Sequence, residues 1–352
     1  MSDSGSVTPL DRMRDHSRRA VTAARMYYGS GQSTQEIATY LKVSRSTVSR
    51  LLAYARDTGV VEVRVHETAD HISGLTADLA ARYPRARFEV IGVPPTATAG
   101  RINTTVAQYA AHAVSAMVQP GMTVGVAWGN TVSSVIDHLH PRVVNDLRVV
   151  QLNGAGNSVN FGIAYASDII VRFAQNFAGS HFLFPVPAFF DHAETKKAMW
   201  TERSIRQILA LQDNADLLLF STGAIVGDPA SHVYTAGYLD EHEILQLRGA
   251  GVVGDIATVF FDATGSGDLA INERSSGPPL TLYSGSRRSV CVASGVAKIP
   301  GLATALSAGY ISDLIVDSRT AMELVRRASC VPDWSPYAVV GNSKTRVADR
   351  DN

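Results

Sequence analysis

The chain has 352 residues, 45% of them hydrophobic, with 32 Lys and Arg against 32 Asp and Glu; that length and apolar content predict two domains and a large core. No run of about 18 apolar residues occurs, and the polar N-terminus MSDSGSVTPLDRMRDHSRR lacks an apolar signal core, which argues against membrane insertion and secretion and for the cytoplasm. The zero net charge hides an asymmetry: Arg12 to His66 holds ten basic and four acidic residues, leaving 22 and 28 for the rest, and a basic head on a mildly acidic body is the footprint of a DNA-binding domain joined to something else.

Residues 1–11 are polar and expected to be disordered. A helix is predicted from about Asp15 to Tyr28, with Ala20, Ala23, Ala24 and Tyr27 facing the segment that follows, and it ends at Gly29-Ser30-Gly31. Thr34 to Leu52, TQEIATYLKVSRSTVSRLL, has the spacing of two short helices crossed over a tight turn. Ile37, Ala38 and Leu41 lie on one face of the first, Val43 fills the turn, and Val48, Leu51 and Leu52 form the buried face of the second. Ser44 stands at the N-cap of that second helix, where its hydroxyl can accept from a first-turn N–H. The outward residues Arg45, Ser46, Thr47, Ser49 and Arg50 are donors with almost no carboxylate among them. They suit a recognition helix in the major groove, with Ser44, Thr34 and Gln35 beside them as further DNA contacts. An ordinary amphipathic pair with a polar outer face is the alternative; the agreement of turn, cap and composition favours DNA. Lys42 occupies the turn position where such motifs often have Gly, and a left-handed conformation there costs about 1–2 kcal/mol.

Tyr54 to Thr58 completes the second helix and Gly59 stops it. VVEVRV, Val60 to Val65, alternates as the strand of a small wing; Arg64 and His66 either touch DNA beside the recognition helix or are solvated. The winged helix-turn-helix domain is therefore placed at 12–67. A linker helix is expected within 68–85, its stripe Ile72, Leu75, Leu79 and Tyr83 available to a partner subunit, and Pro84 ends it. Strands and helices then alternate: strands at 88–93, 122–127, 147–152, 181–187, 215–223 and 290–294, helices at 99–118, after Trp128, near 163–177 and at 201–212. Such a pattern predicts a mostly parallel sheet with helices on both faces, over 86–340, followed by a polar tail at 341–352.

Ligands of such sheets bind at the carboxyl ends of the strands. Loops rich in Gly and small polar residues fall there: Trp128 to Thr131, Asn153 to Ser158, Ser221 to Asp228, Asp262 to Asp268 and Ser294 to Lys298. Gly129-Asn130-Thr131 opens a helix directly after a strand, so its free N–H groups attract a phosphate, a carboxylate or a sugar hydroxyl, unless it is a plain strand-to-helix turn. Lys298, isolated in its region, either binds an anion or hydroxyl or is solvated. Asp262 and Asp268 either accept from sugar hydroxyls or cap turns. Cys291 and Cys330 lack metal-ligand spacing and read as buried thiols; no metal or cofactor is expected.

With this head and these loops in this order, the sequence resembles the SorC family of bacterial sugar-responsive transcriptional regulators over nearly its whole length. The motifs that carry the resemblance are QEIATYLKVSRSTVSRLL, GVAWGNTV (125–132), VVQLNGAGN (149–157), VGDIATVFFDATG (253–265) and SGVAKIPGLATALSAGYISDLIVD (294–317). The resemblance implies a C-terminal effector domain similar in fold to sugar-phosphate isomerases and glucosamine-6-phosphate deaminases, and a tetramer made of dimers. It also implies that Gly129, Asn130, Thr131, Asn153, Asp262 and Lys298 face the effector; Gly154 and Gly223, in the same loops, join them. The effector is a sugar, polyol or sugar phosphate. Asn153 stands where a basic residue would help hold a phosphate, which tips the balance slightly toward a neutral compound.

Two functions are weighed. The first is a regulator whose affinity for a palindromic DNA operator is set by a bound carbohydrate. The alternative is a sugar-phosphate isomerase or deaminase with an appended DNA-binding head, which needs a carboxylate base and usually a His for ring opening. Asp228 and His232 are its best candidates, with no further acid or base placed beside them, and the regulator is preferred.

Overall fold

In the computed structural model, residues 9–29, 31–61, 69–157, 163–225, 231–285 and 287–326 are described, and the chain divides between Val65 and His66 into two compact units. In the first unit α1 (Pro9–Ala24) starts earlier than the sequence suggests, within the stretch expected to be disordered, and runs into a π-helical turn at Arg25–Gly29. Ala20, Ala23 and Ala24 pack on Ile37, Ala38, Val48, Leu51, Leu52 and Ala55. Tyr27, expected to face that core, is 39% exposed, because the wider π turn shifts the angular register of the last residues.

Both helices of the turn motif are capped by serine. The sequence reading missed the first cap: Ser33 opens α2 (Thr34–Leu41) in a reciprocal box, Glu36 N donating to Ser33 Oγ at 3.3 Å and Ser33 N donating to Glu36 Oε2 at 2.7 Å. Lys42 follows in the left-handed region (φ 53°, ψ 46°), and its N–H bonds back to the end of α2. Ser44 then caps α3 (Arg45–Asp57), its Oγ accepting from Thr47 N at 3.2 Å. The expected wing strand with Arg64 and His66 lies, beyond its first residues, outside the described ones, as does the polar tail.

The second unit opens with α4 (Ala69–Arg82). Its apolar stripe does not wait for a partner: Leu75, Leu79 and Tyr83 are buried in the unit's own core, because α4 lies against β1 (Arg87–Ile91) and the last helix of the unit. The chain continues through α5 (Ala99–Met117), β2 (Thr123–Val126), α6 (Asn130–Asp137), β3 (Arg148–Gln151), α7 (Ile163–Asn176), β4 (Ser180–Phe182), α8 (Ala193–Met199), α9 (Arg203–Asp213) and β5 (Leu217–Phe220). It proceeds through β6 (Thr222–Gly223), α10 (His232–Thr235), α11 (Glu241–Gly249), β7 (Val252–Ile256), β8 (Val259–Asp262), β9 (Arg288–Ala293), α12 (Ile299–Ala308), β10 (Asp313–Asp317) and α13 (Ser318–Arg326).

Seven strands form one sheet in the order β1-β10-β9-β5-β2-β3-β4, every neighbouring pair parallel. Alternation along the strands feeds two cores. Val124, Val126, Leu217 and Leu219 join one with α5, α6 and α7, while Leu218 and Phe220 join the other with α4 and α12. β2 and β3 wind toward one edge and β5, β9 and β10 toward the other, so the order reverses between β2 and β5, the position at which open α/β sheets form a crevice.

Two expected strands turn out differently. The 181–187 run is not a buried strand: only Ser180–Phe182 joins the large sheet, at its edge with Ser180 and His181 exposed, Pro187 makes an isolated bridge to Gly156, and Pro185 and Pro187 lack the N–H a ladder needs. The single strand expected at 215–223 is split, since β6 leaves the large sheet to form a three-stranded antiparallel sheet with β7 and β8. The glycines of that small sheet set its distance from α12. A Cβ on Gly254 would stand 2.9 Å from Gly301 Cα, and one on Gly301 would stand 3.4 Å from Gly254 Cα and 3.6 Å from Gly223 O. Backbones of β6, β7 and α12 therefore meet without side chains between them. Gly254→Ala is expected to lower stability by about 1–3 kcal/mol, because the added methyl meets backbone that cannot move aside. Gly249→Ala, at the exposed end of α11 with open space around it, should be neutral or stabilising. Urea unfolding of both variants checks the contrast; equal losses would refute the close-contact account.

Candidate functional site

At the carboxyl edge of the large sheet, where the order reverses, lies a cavity of about 440 Å³. The ends of β2, β3, β5, β9 and β10 build it, together with the small sheet. Gly129, Asn130, Thr131, Asn153, Gly223 and Lys298, six of the sequence candidates, line it. Gly154 and Asp262 do not. A Cβ on Gly154 would overlap the carbonyl oxygens of Val186 and Pro187, so this glycine allows a close backbone approach rather than facing the cavity. Asp262 Oδ1 accepts from Thr264 N at 2.8 Å, Thr264 Oγ1 at 2.6 Å and Ser266 N at 3.0 Å. These donors hold its carboxyl below the usual range, and Asp262 caps its own turn.

Lys298, at the start of α12, reaches across the site. Its Nζ donates to Thr131 Oγ1 at 2.9 Å and to Ser221 Oγ at 2.7 Å, tying the loops after β2 and β5 together. Burial pulls this ammonium down to about 8. The neighbouring acid is Asp255, beside Gly254 on β7, which the sequence reading did not single out. Its signal was present as a lone carboxylate within the apolar run VVGDIATVFF, a position where a charge needs a reason. Asp255 is 6% exposed, and burial pushes it up to about 7 against the opposing pull of Thr258 N, Lys298 and Tyr234. Its carboxyl lies over Gly223, where any Cβ would overlap Oδ1; Gly223 is needed for Asp255.

Three buried oxygens in the cavity lining lack a hydrogen-bond partner: Asn153 Oδ1, Thr222 Oγ1 and Asp255 Oδ1. Buried polar atoms are ordinarily paired, and these three, two acceptor oxygens and a hydroxyl that can donate or accept, are exceptions grouped in residues of the cavity lining. Behind Asn153 the backbone is fixed. Gln151 Nε2 donates to Asn153 O at 2.7 Å, Trp128 Nε1 donates to Asn153 O at 3.2 Å and Gly154 O at 2.9 Å, and Gln212 Nε2 donates to Gln151 O at 2.8 Å. Trp128 and His232 form an aromatic wall, His232 stacking on Tyr165 (centroids 4.8 Å apart) and Trp128 on Tyr238 (5.1 Å). Tyr165 OH donates to Asn130 Oδ1 at 3.1 Å. Burial lowers His232 below its ordinary value. At the β10 end, Gly295 N donates to Thr320 Oγ1 at 2.9 Å, and Arg319 Nη1 donates to Ala97 O at 3.1 Å.

His232 is thus part of an aromatic stack, and Asp228, its companion in the enzymatic alternative, lies outside the described residues. No group of three or more His, Cys, Asp or Glu fit to hold a metal occurs among the described residues. Cys291 is a buried thiol; Cys330 lies outside them. On the first unit, Gln35, Arg45, Ser46, Ser49 and Arg50 are exposed, Thr34 and Thr47 half-buried, and the Ser44 hydroxyl is used by the cap.

A family model described as "Putative sugar-binding domain" matches residues 68–326. A deoxyribonucleoside regulator of Bacillus subtilis (strain 168) is 34% identical over 313 residues, 89% of this chain and 98% of that protein. Among solved structures, a domain of a possible sugar-binding transcriptional regulator from Arthrobacter aurescens TC1 is 44% identical, with a TM-score of 0.68 over 74% of this chain and all (100%) of that one. The full-length sorbitol operon regulator SorC from Klebsiella pneumoniae, 23% identical, shares the fold with a TM-score of 0.64 over 88% of this chain and 99% of its own.

The buried Asp255 sets a pH dependence. Its folded value lies near 7, above its ordinary 3.8, so between those values the folded chain keeps a proton that the unfolded chain releases, and stability falls as pH rises through that window. The total is on the order of a few kcal/mol. Asp255→Asn, which has no proton to lose, should flatten the profile and gain on the wild type from pH 5 to pH 8 in urea unfolding. Parallel profiles would show that Asp255 does not titrate there.

Proposed function

The chain belongs to the SorC family of sugar-binding transcriptional regulators, and from that premise we propose that it controls a carbohydrate or polyol utilisation operon through an operator whose affinity follows the occupancy of the cavity. Its relatives are named as transcriptional regulators, and the chain is a regulator, not an enzyme. The observation that carries the effector reading is the set of unpartnered buried oxygens around a 440 Å³ cavity at the sheet's reversal point. A sugar, polyol or sugar phosphate supplies the hydroxyl donors those oxygens lack, and the aromatic wall offers its C–H faces an apolar surface. Gly129, Asn130, Thr131, Asn153, Gly223 and Lys298 are the contacts from the sequence reading, with Thr222 and Asp255 added to them.

DNA recognition belongs to α3. Arg45 and Arg50 reach base edges, Ser46 and Ser49 hold phosphates, and Gln35 and Thr34 at the start of α2 contact the backbone. The protein acts in the cytoplasm as a dimer of dimers on an imperfect palindrome, since two recognition helices must enter major grooves about 34–36 Å apart or a multiple of that. No helix among the described residues is long and apolar enough to cross a membrane. Effector binding need shift the two DNA-binding states by only about 1–3 kcal/mol to change operator affinity 5- to 150-fold.

Arg45→Ala and Arg50→Ala should each weaken operator binding about 10- to 100-fold, the worth of one base-reading contact, while thermal midpoint and effector binding stay unchanged. Fluorescence anisotropy on an operator duplex measures this; wild-type affinity in both variants would remove α3 as the reading helix.

A further inference from the structure

In the first unit the π turn that ends α1 and the far end of α3 meet at one exposed point. Turns of this kind are uncommon and concentrate at functional sites. This one leaves Tyr27 and Tyr28 on the surface, each 39% exposed, with their rings edge to face at 5.0 Å. Arg56, exposed in the last turn of α3, donates from Nη1 to Tyr28 OH at 2.9 Å. A phenol that accepts this hydrogen keeps its own to give, and the guanidinium keeps further N–H groups. Among the described residues Arg56 has no carboxylate partner, whereas Arg19 on α1 is tied to Asp15 at 2.9 Å. The point thus presents a neutral and a charged donor side by side; Asp57, the acid of the same turn, stands about 100° away round the helix axis.

We infer that Tyr28 and Arg56 together hold a backbone phosphate of the DNA, beyond the bases that the first turns of α3 read. This deepens the proposed function and rests on it, since it takes α3 to be the recognition helix. Arg56 lies eleven residues after Arg45, which is three turns and about 20°, so it returns to the flank of Arg45 about 16 Å along the axis. The major groove is only about 12 Å wide. With Arg45 and Arg50 at base edges, the end of α3 stands at the groove wall, where phosphate oxygens are the acceptors. One phosphate can accept from the guanidinium and the hydroxyl at once, the charged bond being the stronger. Tyr28 also orients Arg56 before DNA arrives, so less side-chain freedom is lost on binding. An arginine in a last turn complements the helix dipole as well, but that role acts on folding and leaves the salt dependence of DNA binding untouched.

The test uses the full-length chain and fluorescence anisotropy on a DNA duplex of arbitrary sequence, titrated between about 50 and 200 mM salt. One phosphate neutralised by one charge adds about 0.9 to the slope of log affinity against log salt. Arg56→Gln should flatten the slope by about that amount and bind about 10-fold more weakly at the low-salt end, with its thermal midpoint unchanged. Arg56→Lys, which keeps the charge, should keep the slope. Tyr28→Phe, which keeps the ring and loses the oxygen, should also keep the slope yet bind about 3- to 10-fold more weakly. Tyr28→Phe carries the test if Arg56→Gln lowers the thermal midpoint, and wild-type affinity in Tyr28→Phe overturns the pair. Wild-type slope in Arg56→Gln, with weaker binding by Arg45→Ala and Arg50→Ala alongside, overturns the phosphate contact and leaves α3 as the reading helix. If the wild type has no affinity for the duplex, the DNA reading fails and the contact with it.

Discussion

The meeting of Gly223, Gly254 and Gly301 is the constraint from which the rest of the cavity follows. With no side chain at any of the three, β6, β7 and α12 come into backbone contact. That approach puts Asp255, the residue after Gly254, and Lys298, just before α12, into one low-dielectric space. Neither charge could be buried there alone without a large desolvation cost. Together they partly offset one another, and their proton affinities move toward neutrality from opposite directions, to about 7 and about 8.

Strand order supplies the second part of the architecture. Because the sheet reverses between β2 and β5, the loops leaving these neighbours diverge and a crevice opens above them. Lys298 bridges it by donating to one hydroxyl on each side. The lysine thus holds the two loops together across the crevice.

The first unit follows a different logic. Its core is small and built largely of alanines against two short helices, so the helix ends matter more than packing. Both starts are capped by serine, and the tight turn takes a strained lysine. A strained non-Gly residue costs about 1–2 kcal/mol, and two caps at about 1 kcal/mol each offset it.

The sequence alone determined what depends on near neighbours: the two crossed helices and the Ser44 cap, the parallel α/β alternation, and the glycine-rich turns that reach the cavity at Gly129, Asn130, Thr131, Asn153 and Lys298. Periods of 3.6 and 2 residues and cap chemistry act within a few residues, and so they can be read along the chain. Tertiary structure decided what depends on approach between distant segments. Tyr27 turned outward through a π turn, and the 215–223 run split between two sheets. Gly154 proved to be a close backbone contact and Asp262 a turn cap, while Asp255 emerged as the buried acid of the site. A carboxylate that caps its own turn and one that faces a cavity look alike in sequence, because the difference lies in which strand stands beside which and how closely their backbones meet.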